Sequence, residues 1–96
     1  MSKRIVYVNG EFLNEDNAKI SIFDRGFLFA DAVYEVTAII DGIIIEWEGH
    51  VKRLERSLNE LEMVMSMNPS DLFSIHKQLI SKNNLTEGLI YLQISR

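Results

Sequence analysis

The sequence predicts an α+β fold, a two-layer sandwich in which helices cover one face of a largely antiparallel sheet. The first half of the chain carries several short apolar or alternating segments typical of strands, with turn residues between them. Two segments with the three- and four-residue spacing of amphipathic helices follow, before a last apolar strand. A doubly wound parallel sheet would need helices between successive strands, and the first half of the sequence contains no such pattern.

The chain opens with the pattern of a β-hairpin. Two alternating segments, residues 5–8 and 11–13, flank an Asn-Gly pair, which supplies the two positive φ angles that a tight type I′ turn requires. Residues 19–22 alternate polar and apolar side chains and predict a further short strand. The Asp-Arg-Gly sequence at residues 24–26 predicts a loop.

A second hairpin is predicted from residues 32–40 and 43–47, two runs rich in apolar and β-branched residues that an Asp-Gly pair joins. Because both runs are nearly continuous in apolar residues, we expect this hairpin to lie centrally and to be buried on both faces. Residues 89–95 predict the last strand.

Two helices are predicted between these strands. Residues 48–62 have a helical period of apolar side chains, formed by Val51, Leu54, Leu58 and Leu61. Asn68 and Pro69 predict the start of the second helix, because asparagine is a favoured N-cap and proline is tolerated at the first helical position. The apolar stripe of this helix consists of Leu72, Ile75 and Leu79.

Composition restricts the classes of function. Ninety-six residues, 47% of them hydrophobic, fit a single domain over residues 1–96. A net charge of −4 without a basic run argues against nucleic-acid binding, and no apolar stretch approaches the roughly 18 residues of a membrane span. The sequence has no cysteine, no signal-peptide pattern and no metal-ligand spacing around its two histidines. We therefore expect a cytoplasmic protein without a metal, nucleic-acid or membrane partner.

Three short sequences, in this order, resemble one known family. They are Asp-Arg-Gly at 24–26, Phe-Ala-Asp-Ala-Val-Tyr-Glu at 29–35 and His-Val-Lys-Arg-Leu at 50–54. They are similar to elements of the fold-type IV, or class IV, aminotransferases, which use pyridoxal 5'-phosphate, and most similar to those of the D-amino acid aminotransferases. Each motif alone is weak, whereas three in order are specific. The resemblance extends over essentially the whole chain, and Val36 after Tyr-Glu favours the D-amino acid branch.

The resemblance implies roles for four residues. Arg53 matches an arginine that binds the cofactor phosphate, and Tyr34 a tyrosine that offers its hydroxyl to the substrate carboxylate. Val36 lies on the same strand face as Tyr34 and would shape the same pocket. Arg96 matches an arginine that reaches the substrate carboxylate in the neighbouring subunit, which implies a homodimer. From the residues alone, a solvated Arg53 and a packed strand Tyr34 are the expected states, and a frayed Arg96 is equally compatible with the sequence.

Two alanines depart from the family pattern. Ala32 stands where glycine usually precedes Val-Tyr-Glu, and Ala30 replaces another common glycine. Because glycine often supplies a positive φ or a close backbone approach, we expect Ala32 to be the position at which the local geometry is affected. Nearby, Asp31 and Glu35 are expected to make separate polar contacts, and Arg25 to hold its loop through charge-assisted hydrogen bonds.

The sequence offers no lysine at the family's catalytic position; its lysines are Lys3, Lys19, Lys52, Lys77 and Lys82. The resemblance therefore implies that residues 1–96 are an N-terminal domain, with the catalytic lysine in a second domain beyond residue 96. The implied reaction of the whole protein is transamination between D-amino acids and 2-oxo acids, and we expect the isolated chain to be inactive. Two alternatives stay open: a non-catalytic binding or oligomerisation module, and a parent that is a branched-chain aminotransferase or an aminodeoxychorismate lyase.

Overall fold

The computed structural model describes residues 3–96 and has the predicted α+β class. The hairpin and central strands are β1 (Ile5–Val8), β2 (Glu11–Asn14), β3 (Ala32–Ile40), β4 (Ile43–Ile44) and β5 (Gly88–Ser95). The helices are α1 (Arg25–Phe29), α2 (Trp47–Glu60) and α3 (Pro69–Lys82), with one 3-10 turn at Glu15–Asn17. All strand pairs are antiparallel. Within residues 3–96 no helix has both the length and the apolar character needed to cross a membrane.

The strands form two sheets. β1 and β2 make a hairpin of their own, whereas β3 lies between β4 and β5 in a second sheet. β5 pairs with β3 along its whole length, from Ala32 opposite Ser95 to Ile39 opposite Gly88. The hairpin is fastened to the end of α3 by Asn83, whose side chain accepts a hydrogen bond from Ile5 N and donates one to Ile5 O.

The core lies between the β3–β5 sheet and the two long helices. Leu54 and Leu58 of α2 and Leu72 of α3 pack with Val33 and Met63. α3 begins as the sequence predicts, because Asn68 Oδ1 accepts a hydrogen bond from Asp71 N at 2.8 Å and Pro69 stands at the first turn. Both long helices therefore cover the same face of the sheet.

The other face of β3 is open, and the prediction that this strand is buried on both faces is wrong for the described residues. Val33, Glu35, Thr37 and Ile39 point to the helices and are buried. On the alternate positions, Tyr34, Val36 and Ile40 are exposed, Tyr34 at 62%, whereas Ala32 and Ala38 are half-buried. The apolar character of β3 thus exceeds what the helices of this chain cover.

Three further predictions are wrong near the sheet. Residues 19–22 alternate like a strand but pair with no strand of residues 3–96, and Ile20 and Ile22 are exposed. The predicted loop at 24–26 instead begins α1, because Asp24 Oδ2 accepts hydrogen bonds from Gly26 N and Phe27 N and so caps a helix. β4 stops early, since Glu46 has φ 59° and turns the chain into α2.

The alanine with the unfavourable backbone is Ala30, not Ala32. Ala30 ends α1 with φ 56° and ψ 27°, in the left-handed region, whereas Ala32 is an extended residue of β3. A side chain with a Cβ atom is disfavoured in that region by about 1–2 kcal/mol. The family's glycine before Val-Tyr-Glu is therefore not required here for a positive φ.

We expect Ala30→Gly to raise the free energy of unfolding by about 0.5–1 kcal/mol, because relief of the left-handed strain exceeds the added freedom of the unfolded glycine. The matched control is Ala32→Gly, which should lower it by about 0.5–1 kcal/mol because glycine is unfavourable in a strand. Urea unfolding followed by circular dichroism measures both. A loss of stability in Ala30→Gly would contradict the backbone argument.

Candidate functional site

One buried carboxylate, that of Glu35, joins β3 to α2. Glu35 Oε1 accepts hydrogen bonds from His50 Nδ1 at 2.6 Å and from Arg53 Nη2 at 2.8 Å. Its Oε2 accepts a second hydrogen bond from Arg53, from Nε at 3.1 Å. The Arg53 guanidinium thus grips the carboxylate with two parallel hydrogen bonds, the geometry that arginine and carboxylate groups favour.

The local sequence places these three side chains together. Alternation along β3 turns Glu35 towards the helices, on the buried face that it shares with Val33, Thr37 and Ile39. His50 and Arg53 lie three residues apart on α2, so both side chains lie on the same side of the helix. Strand and helix periodicity together therefore bring one carboxylate against two basic groups.

Charge pairing changes the acidity of this cluster. The two hydrogen bonds from Arg53 hold the pKa of Glu35 below its ordinary value, and burial, which acts in the opposite direction, does not cancel them. The same contact raises the pKa of Arg53. Glu35 is therefore an anion at neutral pH, and His50 must carry its proton on Nδ1 to donate to it.

Arg53 keeps donors free for another anion. The guanidinium has five N–H groups, and two of them bind Glu35. Neither N–H of Nη1 bonds to any atom in the described part of the chain, and the Arg53 side chain is 52% exposed. Such a fixed, permanently charged, planar group fits a phosphate, which takes paired hydrogen bonds from arginine.

Tyr34 and Val36 lie on the open face of the sheet, opposite to Glu35. The Tyr34 ring stacks on Tyr91 of β5, with ring centres 5.7 Å apart. The Tyr91 hydroxyl donates a hydrogen bond to Gln93 Oε1 at 2.7 Å. This open face therefore presents two aromatic rings and a polar side chain next to one another.

Arg96 is held by a second carboxylate. Its backbone N–H donates to Asp31 O, and its Nε donates to Asp31 Oδ2 at 2.8 Å. Arg25 Nε donates to the same oxygen at 2.9 Å. The hydrogen bond from Arg25, followed by that from Arg96, holds the pKa of Asp31 below its ordinary value against the effect of burial. Arg96 Nη2 also donates to Leu61 O at the end of α2.

The structure brings together some of the sequence-predicted residues and separates others. Tyr34 and Val36 lie on one face of β3, as expected, whereas Arg53 is bound to Glu35 on the other face. Arg96 lies by the start of β3. Glu35 and His50 were not predicted to belong to the Arg53 site. The available signal was the position of Glu35, a charged residue at a core-facing position of a strand. A buried carboxylate requires a partner, so a basic group was to be expected beside it.

A small cavity lies behind Glu35, between β3 and the two long helices. Its volume is about 10 Å³, room for about one water molecule. Its polar lining includes Thr37, His50 and His76. His76 is buried, and its Nδ1 donates to Leu72 O at 2.8 Å. This cavity is too small for a cofactor or substrate.

Comparison with known proteins gives consistent results. The profile of the family described as amino-transferase class IV matches residues 32–96. The D-alanine aminotransferase of Staphylococcus epidermidis is 36% identical over 91 residues, which cover 95% of this chain and 32% of that enzyme. The D-alanine aminotransferase of Listeria monocytogenes is 32% identical with the same coverage. The chain thus spans about a third of the length of these relatives.

Solved structures share the fold. The branched-chain amino acid aminotransferase from Escherichia coli superposes with a TM-score of 0.90 at 22% identity, over 98% of this chain and 33% of that one. A second branched-chain amino acid aminotransferase, complexed with N-(5'-phosphopyridoxyl)-L-glutamate, has a TM-score of 0.87 at 22% identity, over 97% and 33% of the two chains. A protein from Legionella pneumophila that is assigned as a 4-amino-4-deoxychorismate lyase has a TM-score of 0.76 at 26% identity. The match covers 84% of this chain and 30% of that one.

Proposed function

This chain belongs to the class IV aminotransferases, and on that premise we propose that it is the N-terminal domain of a transaminase that interconverts D-amino acids of the D-alanine type and 2-oxo acids. The observation that carries the proposal is the 36% identity with a D-alanine aminotransferase over 95% of this chain. The chain corresponds to 32% of that enzyme, so the proposal includes a second domain, with the catalytic lysine, outside residues 1–96.

The cofactor is pyridoxal 5'-phosphate, which two solved relatives support, one complexed with a phosphopyridoxyl amino acid and one with pyridoxamine 5'-phosphate. When bound, it supplies the electron sink for bond breaking at the amino acid Cα. Arg53 would hold its phosphate through the free edge of the guanidinium. The Arg53 side chain is half exposed while Glu35 fixes its Nε and Nη2, so the donor geometry of Arg53 fits a phosphate monoester.

Tyr34 and Val36 would form one wall for the substrate. The Tyr34 hydroxyl would donate to the substrate carboxylate, and Val36, two residues further on the same face, would limit the size of the side chain. The exposure of Tyr34, 62%, supports this role because the ring is available to a ligand. Its stacking on Tyr91 would hold the ring in place.

Arg96 would act across the interface of a homodimer, towards the substrate carboxylate in the other subunit. Asp31 and Leu61 O hold two of its nitrogens, Nε and Nη2, so the side chain is already oriented. A homodimer is also supported by the exposed apolar side chains, which a partner surface would cover. They include Phe23, Phe27, Phe29 and Val64.

The lysines of this chain support an inactive isolated domain. All five are exposed, whereas a lysine that acts as a nucleophile and proton carrier needs burial or a basic neighbour to lower its pKa. The cytoplasmic location stays a prediction from the sequence.

The test uses the chain alone and a chimera in which it replaces the matching 91-residue part of the S. epidermidis enzyme. The purified chain should show neither a visible absorption band with the cofactor nor turnover of D-alanine with 2-oxoglutarate. The chimera should transaminate D-alanine, and Arg53→Ala in the chimera should weaken cofactor binding. Turnover by the chain alone would contradict the proposed division of roles. A chimera that accepts L-leucine and rejects D-alanine would instead indicate a branched-chain parent, and release of pyruvate from aminodeoxychorismate would indicate a lyase.

A non-catalytic oligomerisation module is the second candidate, because the open face of β3 and β5 exposes Tyr34, Ile40, Leu89 and Tyr91. Sedimentation over a range of concentrations distinguishes the two. Stable self-association of the chain together with an inactive, correctly folded chimera would favour the module.

A further inference from the structure

The carboxylate behind Arg53 has a role that the proposed function leaves unassigned. We propose that Glu35 is a positioning residue: it fixes the Arg53 guanidinium so that its free edge is presented, already oriented, to a phosphate group. This inference rests on the proposed phosphate role of Arg53. Glu35 itself would not touch the phosphate.

The contacts of Glu35 leave Arg53 little freedom. Both carboxylate oxygens are bonded to Arg53, to Nε and to Nη2, and Oε1 is also bonded to His50. Arg53 Nη2 lies 3.0 Å from His50 Nδ1. Because His50 Nδ1 must donate to Glu35, that contact joins two donors and orients nothing. Among residues 3–96, Glu35 is thus the residue that sets the orientation of the guanidinium plane.

Stability by itself does not account for this arrangement. Glu35 is 8% exposed, in a sheet face whose other buried side chains include Val33 and Ile39. An apolar side chain of similar volume commonly serves as well as a buried ion pair, because burying a carboxylate removes its hydration. Arg53, half exposed, would remain solvated without a partner. What Glu35 adds is a fixed direction for the arginine.

The sign of the effect on anion binding separates positioning from simple electrostatics. The negative charge of Glu35 repels a phosphate bound at Arg53. If charge alone mattered, removing it would strengthen phosphate binding. If Glu35 positions Arg53, its removal weakens binding, because a free arginine must give up its rotamer freedom when the phosphate binds.

The experiment follows the Arg53 Nε–H signal by ¹⁵N NMR in the purified 96-residue chain, assigned by its loss in Arg53→Lys. The Nε–H of Arg53 should exchange with water at least about ten-fold more slowly than that of Arg56, an exposed arginine on the same helix. Inorganic phosphate, added at constant ionic strength, should shift the Arg53 signal. In Glu35→Gln, exchange should be faster and phosphate affinity about ten-fold lower.

Two further variants complete the design. Glu35→Met keeps an unbranched side chain of similar length. This variant should be as stable as the native chain, and its affinity for phosphate should be as low as that of Glu35→Gln. Asp31→Asn removes the other carboxylate that holds arginines and should leave the Arg53 signal and its phosphate response unchanged.

The outcomes are distinct. Unchanged or tighter phosphate binding in Glu35→Gln and Glu35→Met would overturn the positioning role, as would Arg53 exchange as fast as that of Arg56. A slow Arg53 signal that phosphate does not shift in the native chain would overturn the phosphate role of Arg53 in the proposed function, and the inference with it. An equal loss of phosphate affinity in Asp31→Asn and Glu35→Gln would show that the loss does not depend on the contact between Glu35 and Arg53, and would overturn the positioning role.

Discussion

Leu54→Ala is expected to lower the free energy of unfolding by about 2–5 kcal/mol, the range for truncating a buried leucine. Leu54 is 1% exposed and packs between Val33 of β3 and Leu58 and Leu72 of the long helices. The loss combines the transfer free energy of the side chain with the cavity left where helix and sheet meet. Since small domains are stable by only about 5–15 kcal/mol, urea denaturation should show a strongly lowered midpoint and a measurable unfolded fraction without urea.

The matched control is Leu61→Ala, which makes the same chemical change at the end of α2. Leu61 is 37% exposed and lies outside the core cluster. The free energy of unfolding of Leu61→Ala should therefore fall by less than about 1 kcal/mol. Equal losses in the two variants would contradict the assignment of Leu54 to the centre of the core.

The second large effect is expected on acidification, in two stages. Burial, helped by the charge of His50 and opposed by the hydrogen bond to Leu72 O, lowers the pKa of His76 below its ordinary value. The unfolded chain therefore takes up a proton at this histidine below about pH 6.5, while the folded chain resists it. The free energy of unfolding should be constant above that pH and fall as the pH decreases towards the lowered pKa of His76.

The second stage comes from Glu35, whose pKa is held below 4.5 by Arg53. The contribution of Glu35 to the free energy of unfolding is present above about pH 4.5. It is lost as the pH falls through the lowered pKa that Glu35 has in the folded state. Thermal melts from about pH 7 to about pH 3 measure both stages. His76→Gln should remove the first stage and leave the second, whereas Glu35→Gln should flatten the second. A melting temperature that does not change between about pH 7 and about pH 5 would contradict the burial of a neutral His76.

Local chemistry made much of the fold predictable. The Asn-Gly turn, the helical period around Leu54 and the Asn68 cap each depend on a few adjacent residues, and each is found where predicted. The strand predicted at residues 19–22 is absent because alternating polar and apolar side chains form a strand only where another strand pairs with them. α1 was missed because its five residues are too few to show a helical period, and its signal was the single cap Asp24.

The candidate site was predictable in part. Asp31 and Glu35 make separate polar contacts, as predicted, and Arg25 is held by a charge-assisted hydrogen bond to Asp31. The partner of Arg53 was not predicted, because it depends on the register of β3 against α2, which residue spacing within either element does not determine. The open face of β3 was mistaken for a buried one because apolar content does not reveal which molecule covers it.

β5 lies at the edge of its sheet, with one side bonded to β3 and no strand of residues 3–96 on the other. A sheet edge is extended through main-chain N–H and C=O groups, which every amino acid except proline supplies in full. Whatever strand is laid against this edge is therefore recognised by its backbone. The main-chain hydrogen bonds of such a pair tolerate substitutions in the added strand, whereas side chains that stand opposite one another across the pair must still fit.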